Sequence, residues 1–214
     1  MKEIRDVRAL ALTQFPRGIE LNLDREARKM FNPTLDNPLA DPDFCAEWVN
    51  YLSRRAGKIY SYGGYMENRS FLWRGTYLTP TNSIHLGIDV NFPMATPIVC
   101  PIEFELLEAF YDGDQNGGWG GRVLIKTKYG LVLFAHIVTA LAGKKYYRGN
   151  TIVGYVADKT NNGGWYPHLH IQGINDLRLM KNIDGYSKMY KDIRKDYPNP
   201  LPLLGIHREN PEKS

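Results

Sequence analysis

Four of the five histidines in this 214-residue chain fall into three short clusters, and an aspartate stands four residues after the first of them. The clusters read His85-Leu86-Gly87-Ile88-Asp89, Phe134-Ala135-His136 and Pro167-His168-Leu169-His170. Neutral imidazoles with one carboxylate are the donor set of a catalytic zinc ion. Three protein ligands suffice, because the fourth position stays open for water or substrate. The two histidines left over can then move protons or steady developing negative charge. Magnesium and calcium prefer oxygen-only shells, whereas iron(II) also accepts two histidines and a carboxylate. No Cys-x-x-Cys spacing of the kind that marks a structural zinc site is present.

These residues need elements that bring them together. In Pro167 to Ile174, Leu169 and Ile171 alternate with His168, His170 and Gln172. Side chains two apart on a strand share a face, so His168 and His170 are expected to point into one cleft. Gly87, Asn91 and Pro93 argue against a helix around His85, so a strand or loop must present His85 and Asp89. From Tyr60 onward the pattern is β: an apolar run from Pro97 to Phe110, then Arg122 to Thr127 and Leu131 to Val138 around the short turn Lys128-Tyr129-Gly130. Thr151 to Val156 and Tyr166 to Ile174 supply two more strands, and His136 falls near the end of the Leu131 strand. The expectation is a mostly antiparallel sheet. Two loops share the tetrad Asn-Gly-Gly-Trp, Asn116 to Trp119 and Asn162 to Trp165. They either wall a peptide groove or form partly exposed turns. Trp165, just ahead of the His168 strand, favours the groove, with Asn116, Asn162, Trp119 and Trp165 as its substrate-facing residues.

Ahead of the sheet the sequence is helical. Asp41-Pro42 reads as N-cap and first helical position, Phe44, Trp48 and Leu52 recur at helical spacing, and Gly57 can end the helix. That stripe is expected to be buried against the β domain. A shorter helix is expected from Asp24 to Met30. The tail after Asn175 is polar, and its run from Tyr197 to Pro202 is expected to be an extended surface segment. The division that follows is a helical extension over 1–58, a β domain over 59–175 and a C-terminal extension packing on the surface over 176–214.

The motifs HLGID, FAHI and PHLHIQ resemble the H-x-x-x-D, x-x-H and H-x-H signatures of the lysostaphin/LytM-type zinc metallopeptidases. Gly121 to Lys126 (GRVLIK) and Gly149 to Val156 (GNTIVGYV) resemble the segments flanking the middle histidine and preceding H-x-H, so the resemblance runs from about Tyr77 to Gly173. It implies a mostly β, antiparallel metallopeptidase domain, which together with the helical N-terminal extension read above makes an α+β chain. It also implies Zn2+ held by His85, Asp89 and His170, with His136 and His168 as the catalytic pair, the division of roles between them being open. A tyrosine ahead of the first ligand assists in this family, which makes Tyr77 the candidate. The implied activity is hydrolysis of peptide amide bonds in peptidoglycan-type peptides or cross-links. A soluble peptide or small amide is the alternative substrate, and a non-catalytic binding module on the same fold is a third reading.

Composition narrows these readings. Hydrophobic residues make up 43% and charged residues 23%, which is the mixture of a globular chain. No apolar run approaches the ~20 residues of a membrane span. A dispersed net charge of +4 gives little support to nucleic-acid binding. The N-terminus carries Arg5, Asp6 and Arg8 ahead of a short apolar stretch and does not read as a signal peptide, so a cytoplasmic location is expected. Cys45 and Cys100 are then expected to be reduced thiols. A monomer is assumed.

Overall fold

The helical signals place two N-terminal helices. The computed structural model describes residues 18–30, 32, 37–74, 81–143 and 145–204. Strand β1 (Ile19–Glu20) leads into helix α1 (Leu23–Lys29), which starts on Asn22, whose side chain accepts from the Arg25 backbone N–H. Helix α2 (Pro42–Arg55) begins at the expected cap: Asp41 Oδ1 accepts from the Phe44 N–H at 2.7 Å, and Pro42 takes the first turn. Gly57 follows with φ +66.

The buried face of α2 differs from the expected one. Cys45, Val49 and Ser53 are enclosed, Trp48 and Leu52 are half-buried, and Phe44 is 40% exposed. The helix is turned by one residue, about 100°, from the expected setting. Its i, i+4 seam of Cys45 and Val49 joins a cluster with Leu23, Ala27, Leu39, Leu72, Trp73 and Trp165.

The strands follow in order: β2 (Ser61–Gly63), β3 (Ile84–His85), β4 (Ile88–Asn91), β5 (Pro97–Cys100), β6 (Phe104–Asp112), β7 (Gly120–Thr127), β8 (Gly130–Ala135), β9 (Ile137–Thr139), β10 (Tyr146–Tyr147), β11 (Thr151–Val156), β12 (Leu169–Ile174) and β13 (Tyr186–Ser187). The main sheet runs β1-β2-β4-β12-β8-β7-β6-β10, antiparallel except for the β1–β2 pair. A three-stranded sheet β5-β11-β9 and the pair β13-β3 complete the described strands. The chain is thus mostly β with a few helices, as the motifs implied. The β7–β8 hairpin closes on the Thr127–Gly130 pair, with Lys128-Tyr129 as its turn.

Period-two alternation explains why both faces of the sheet centre are dry. Val123, Ile125, Val132 and Phe134 face the main cluster, which the small sheet covers with Ile98, Ile137, Val153 and Val156. Leu124, Leu131 and Leu133 face the other way, against Ile174, Leu179, Met180 and Ile183. Both cysteines are free and buried. Burial lifts the Cys100 thiol to about 11.

Three local expectations change. The Leu131 to Val138 stretch is not one strand, because His136 adopts φ +61 and separates β8 from β9. Strand β12 begins at Leu169, so His168 stands just before it. The Tyr197 to Pro202 run is not purely extended: after α3 (Ile193–Asp196) comes α4 (Pro200–Leu203), capped by Asn199, which accepts from the Leu201 N–H. The Asn-Pro pair repeats the logic of Asp41-Pro42, since a first-turn proline lacks only an N–H with no intrahelical partner. Leu201 and Leu204 reach the main cluster.

Candidate metal centre

Three segments bring His85, Asp89 and His170 together. His85 ends β3, Asp89 lies on β4, and β4 pairs with β12 so that Asp89 stands directly opposite His170. Gly87 joins β3 to β4 beneath the His170 ring, where a Cβ would come within 2.5 Å of His170 Cε1. The glycine of HLGID is therefore required for close approach. All three side chains are buried.

The outer hydrogen bonds fix what the inner atoms can be. His85 Nδ1 lies 3.0 Å from the Gly64 carbonyl oxygen, an acceptor only, so Nδ1 carries the proton and Nε2 a lone pair. Gln172 donates through its amide nitrogen to the Asp184 carbonyl. Its Oε1 therefore faces His170 Nε2 at 3.0 Å and accepts from it, leaving a lone pair on His170 Nδ1. Inside, His85 Nε2 is 3.1 Å from His170 Nδ1, and the Asp89 Oδ1 oxygen is 3.4 and 3.1 Å from them. Three acceptor atoms thus converge with no hydrogen among them. Such an arrangement is repulsive unless a cation sits at its centre, and neutral imidazoles fixed by outer carbonyls are the usual form of metal-binding histidines.

His168 and His136 flank this trio. His168 Nδ1 donates to the Tyr166 carbonyl oxygen at 2.8 Å, so its Nε2 is the free lone pair, 3.8 Å from Asp89 Oδ1. The His136 and His168 rings lie 4.5 Å apart, and His136 stacks on Trp119. His136 Nδ1 is buried without a hydrogen-bond partner among the described residues. Burial, then the positive Arg69, holds the His85 imidazole well below its usual range, with Asp89 opposing. Burial and then the neighbouring His168 and His170 do the same to His136. Burial lowers His168 as well, with Asp89 opposing. Burial would raise the Asp89 carboxyl, but His85, Arg69 and His168 outweigh it and keep it well below the usual carboxylate range.

The cleft over these groups has a volume of about 390 Å³. Both Asn-Gly-Gly-Trp tetrads line it, and they pack on each other: Gly117 N–H donates to the Gly163 carbonyl. Asn116 is exposed on the rim and Trp119 is half-buried. Trp165 and Asn162 are largely enclosed. The Trp165 ring packs edge-on against Trp73, its Nε1 donating to the Leu39 carbonyl, and Asn162 Nδ2 donates to the Tyr166 carbonyl. Tyr77 lies outside the described residues. Two site residues had escaped the motif reading. Arg69 is buried beside Asp89, and Tyr186 on β13 lines the cleft opposite His85. Neither stands in a motif. Gln172, by contrast, shares the His170 face by strand alternation.

No family model and no curated protein matches the sequence. Solved structures do. The chain is similar to the catalytic domain of the antimicrobial peptidase lysostaphin from Staphylococcus simulans, at 20% identity and a TM-score of 0.44 over 75% of this chain and 97% of that one. It is also similar to a prophage-encoded M23 protein from Enterococcus faecalis, at 24% identity and a TM-score of 0.37 over 48% of this chain and 73% of that one. A zinc-containing peptidase from Vibrio cholerae matches at 15% identity and a TM-score of 0.38 over 47% of this chain and 30% of that one. These likenesses are of fold.

Proposed function

We propose that the chain is a zinc-dependent hydrolase of peptide amide bonds, with peptidoglycan-type peptides or cross-links as substrate. The observation that carries this reading is the convergence of His85 Nε2, His170 Nδ1 and Asp89 Oδ1, three hydrogen-free acceptors 3.1–3.4 Å apart beneath a cleft. A tetrahedral ion with ligands at ~2.0–2.1 Å sets its ligands about 3.3 Å apart, and a two-histidine, one-carboxylate set that leaves a position open suits catalytic zinc. Zinc bound there supplies a Lewis acid that acidifies water and polarises the scissile carbonyl.

The protein's own groups do the rest. His168, held by the Tyr166 carbonyl, keeps its Nε2 unprotonated and ready to take a proton from water as general base. His136, its ring beside His168, completes the proton-handling pair through which the leaving amine is protonated. Tyr186 Oη accepts from Trp73 Nε1 at 2.8 Å and from Arg69 Nη1 at 3.3 Å. Its own hydroxyl hydrogen is then left for the cleft, where it can donate to the carbonyl oxygen as charge develops. The glycine-rich tetrads let an extended peptide approach the backbone closely, with Trp119 as an apolar wall.

The test incubates the zinc-loaded protein with cell-wall sacculi and with soluble muropeptides and follows newly released amino groups. Cleavage of either supports the reading, and sacculi against fragments separates cross-linked from soluble substrate. Zinc-loaded protein that cuts neither overturns the peptidoglycan assignment.

A further inference from the structure

Arg69 carries a full charge yet is only 1% exposed. A buried cation is tolerated only when its donors are met by well-placed acceptors. Its Nε donates to Glu67 Oε2 at 2.9 Å, and its Nη1 donates to Asp89 Oδ2 at 2.6 Å. Glu67 is anchored in turn: its Oε1 accepts from the Asp24 N–H at 2.9 Å. Asp24 Oδ1 accepts from the backbone N–H groups of Phe71 and Leu72, each at 2.8 Å. A frame of charge-assisted bonds therefore runs from α1 through Glu67 and Arg69 to the far oxygen of Asp89.

We propose that Arg69 is a positioning residue that commits Asp89 to bind the metal through Oδ1 alone, by holding Oδ2 with its Nη1 while its Nε is fixed on Glu67. The proposal rests on the metal-centre reading given above. A carboxylate without such a partner can turn both oxygens onto an ion and so fill the position that catalysis needs open. Engaging Oδ2 removes that choice. Glu67 offsets the arginine charge, so the fork orients the ligand without leaving an uncompensated cation next to the metal. Lysine cannot replace it. A point charge on a flexible stem does not span Glu67 and Asp89 at once, whereas the planar fork does.

The experiment measures zinc affinity of the full chain by competition with a chromogenic chelator, for the wild type, Arg69→Met and Arg69→Lys. The visible spectrum of each cobalt(II)-loaded protein reports coordination number, and near-UV circular dichroism shows which variants are folded. Both variants should lose about 10–100-fold in zinc affinity, the usual effect of removing a group that orients a ligand. Their cobalt spectra should move from a four- to a five-coordinate form. Wild-type affinity and spectrum in a folded Arg69→Met protein overturn the proposal. Full rescue by Arg69→Lys overturns it too, since charge alone would then suffice. If neither variant folds, a crystal structure of the zinc-loaded wild type decides: one Asp89 oxygen on the ion supports the role, and two refute it. Wild type that takes up no zinc defeats the metal-centre reading itself. Wild type that binds while both folded variants bind equally well defeats only the role of Arg69.

Discussion

His168 and His136 stand beside the acceptor trio rather than in it, so replacing them separates chemistry from metal binding. His136→Ala and His168→Ala should each keep zinc near one equivalent per chain, by metal analysis, while turnover falls by at least ~10²-fold. His85→Ala should lose the metal outright. A histidine variant that cleaves at the wild-type rate would remove that residue from the mechanism. Tyr186→Phe deletes one oxygen at the cleft. It should lower kcat by about 10²–10³-fold, the range of a lost oxyanion donor, with KM and zinc content little changed. A kcat unchanged by this substitution rules out the hydroxyl as a donor. The five motif residues were legible because histidines are few, five in the chain, and because the H-x-x-x-D, x-x-H and H-x-H motifs resemble those of a known family in the same order. Arg69 and Tyr186 were not, since nothing local distinguishes an arginine or tyrosine that folding will enclose from one left on the surface.

Elements show the same division between local and tertiary signals. Asp41-Pro42 and the Lys128-Tyr129 turn are short-range chemistry, and both appear where the sequence places them. The orientation of α2 is decided by its partners, and a stripe of large side chains misled because the smaller Cys45 and Val49 fit the seam. Leu39, fully enclosed against that seam, should cost roughly 2–5 kcal/mol on truncation to alanine, while Phe44→Ala should stay within ~0.5 kcal/mol. Chemical denaturation of the two variants would compare them, and equal losses would contradict the observed packing. The break at His136 was likewise illegible, because a positive φ is uncommon for any non-glycine residue, even histidine, and no Gly or Pro marks it in that β-rich stretch. The paired tetrads give a further check. Gly163 has φ +82, and a Cβ there would run into the Gly118 carbonyl oxygen. Gly163→Ala should therefore separate the two loops and weaken substrate binding, read as a higher KM, while zinc content holds. An unchanged KM would show that the cleft does not depend on that contact.

At the scale of the whole molecule, a cation held by the acceptor trio would be coupled to folding. The main sheet supplies Asp89 and His170, the β3–β13 pair supplies His85, and the frame through Arg69 reaches back to α1. Without a cation, lone pairs of His85, His170 and Asp89 face one another inside a buried site, so the empty site opposes the packing that the rest of the sequence favours. A ligand that binds only the folded chain stabilises it by RT ln(1 + [L]/Kd), about 4.1 kcal/mol at a thousandfold excess over Kd. For a chain of this size each kcal/mol moves Tm by about 2–4 °C, so zinc at that excess should raise Tm by roughly 8–16 °C over chelator-treated protein. Differential scanning calorimetry with zinc and with chelator measures the shift. His85→Ala is the control, because a variant lacking one ligand should show little zinc dependence. A wild-type Tm indifferent to zinc would mean that the three acceptors hold no ion in the folded state. A shift retained in His85→Ala would place the ion on some other set of residues.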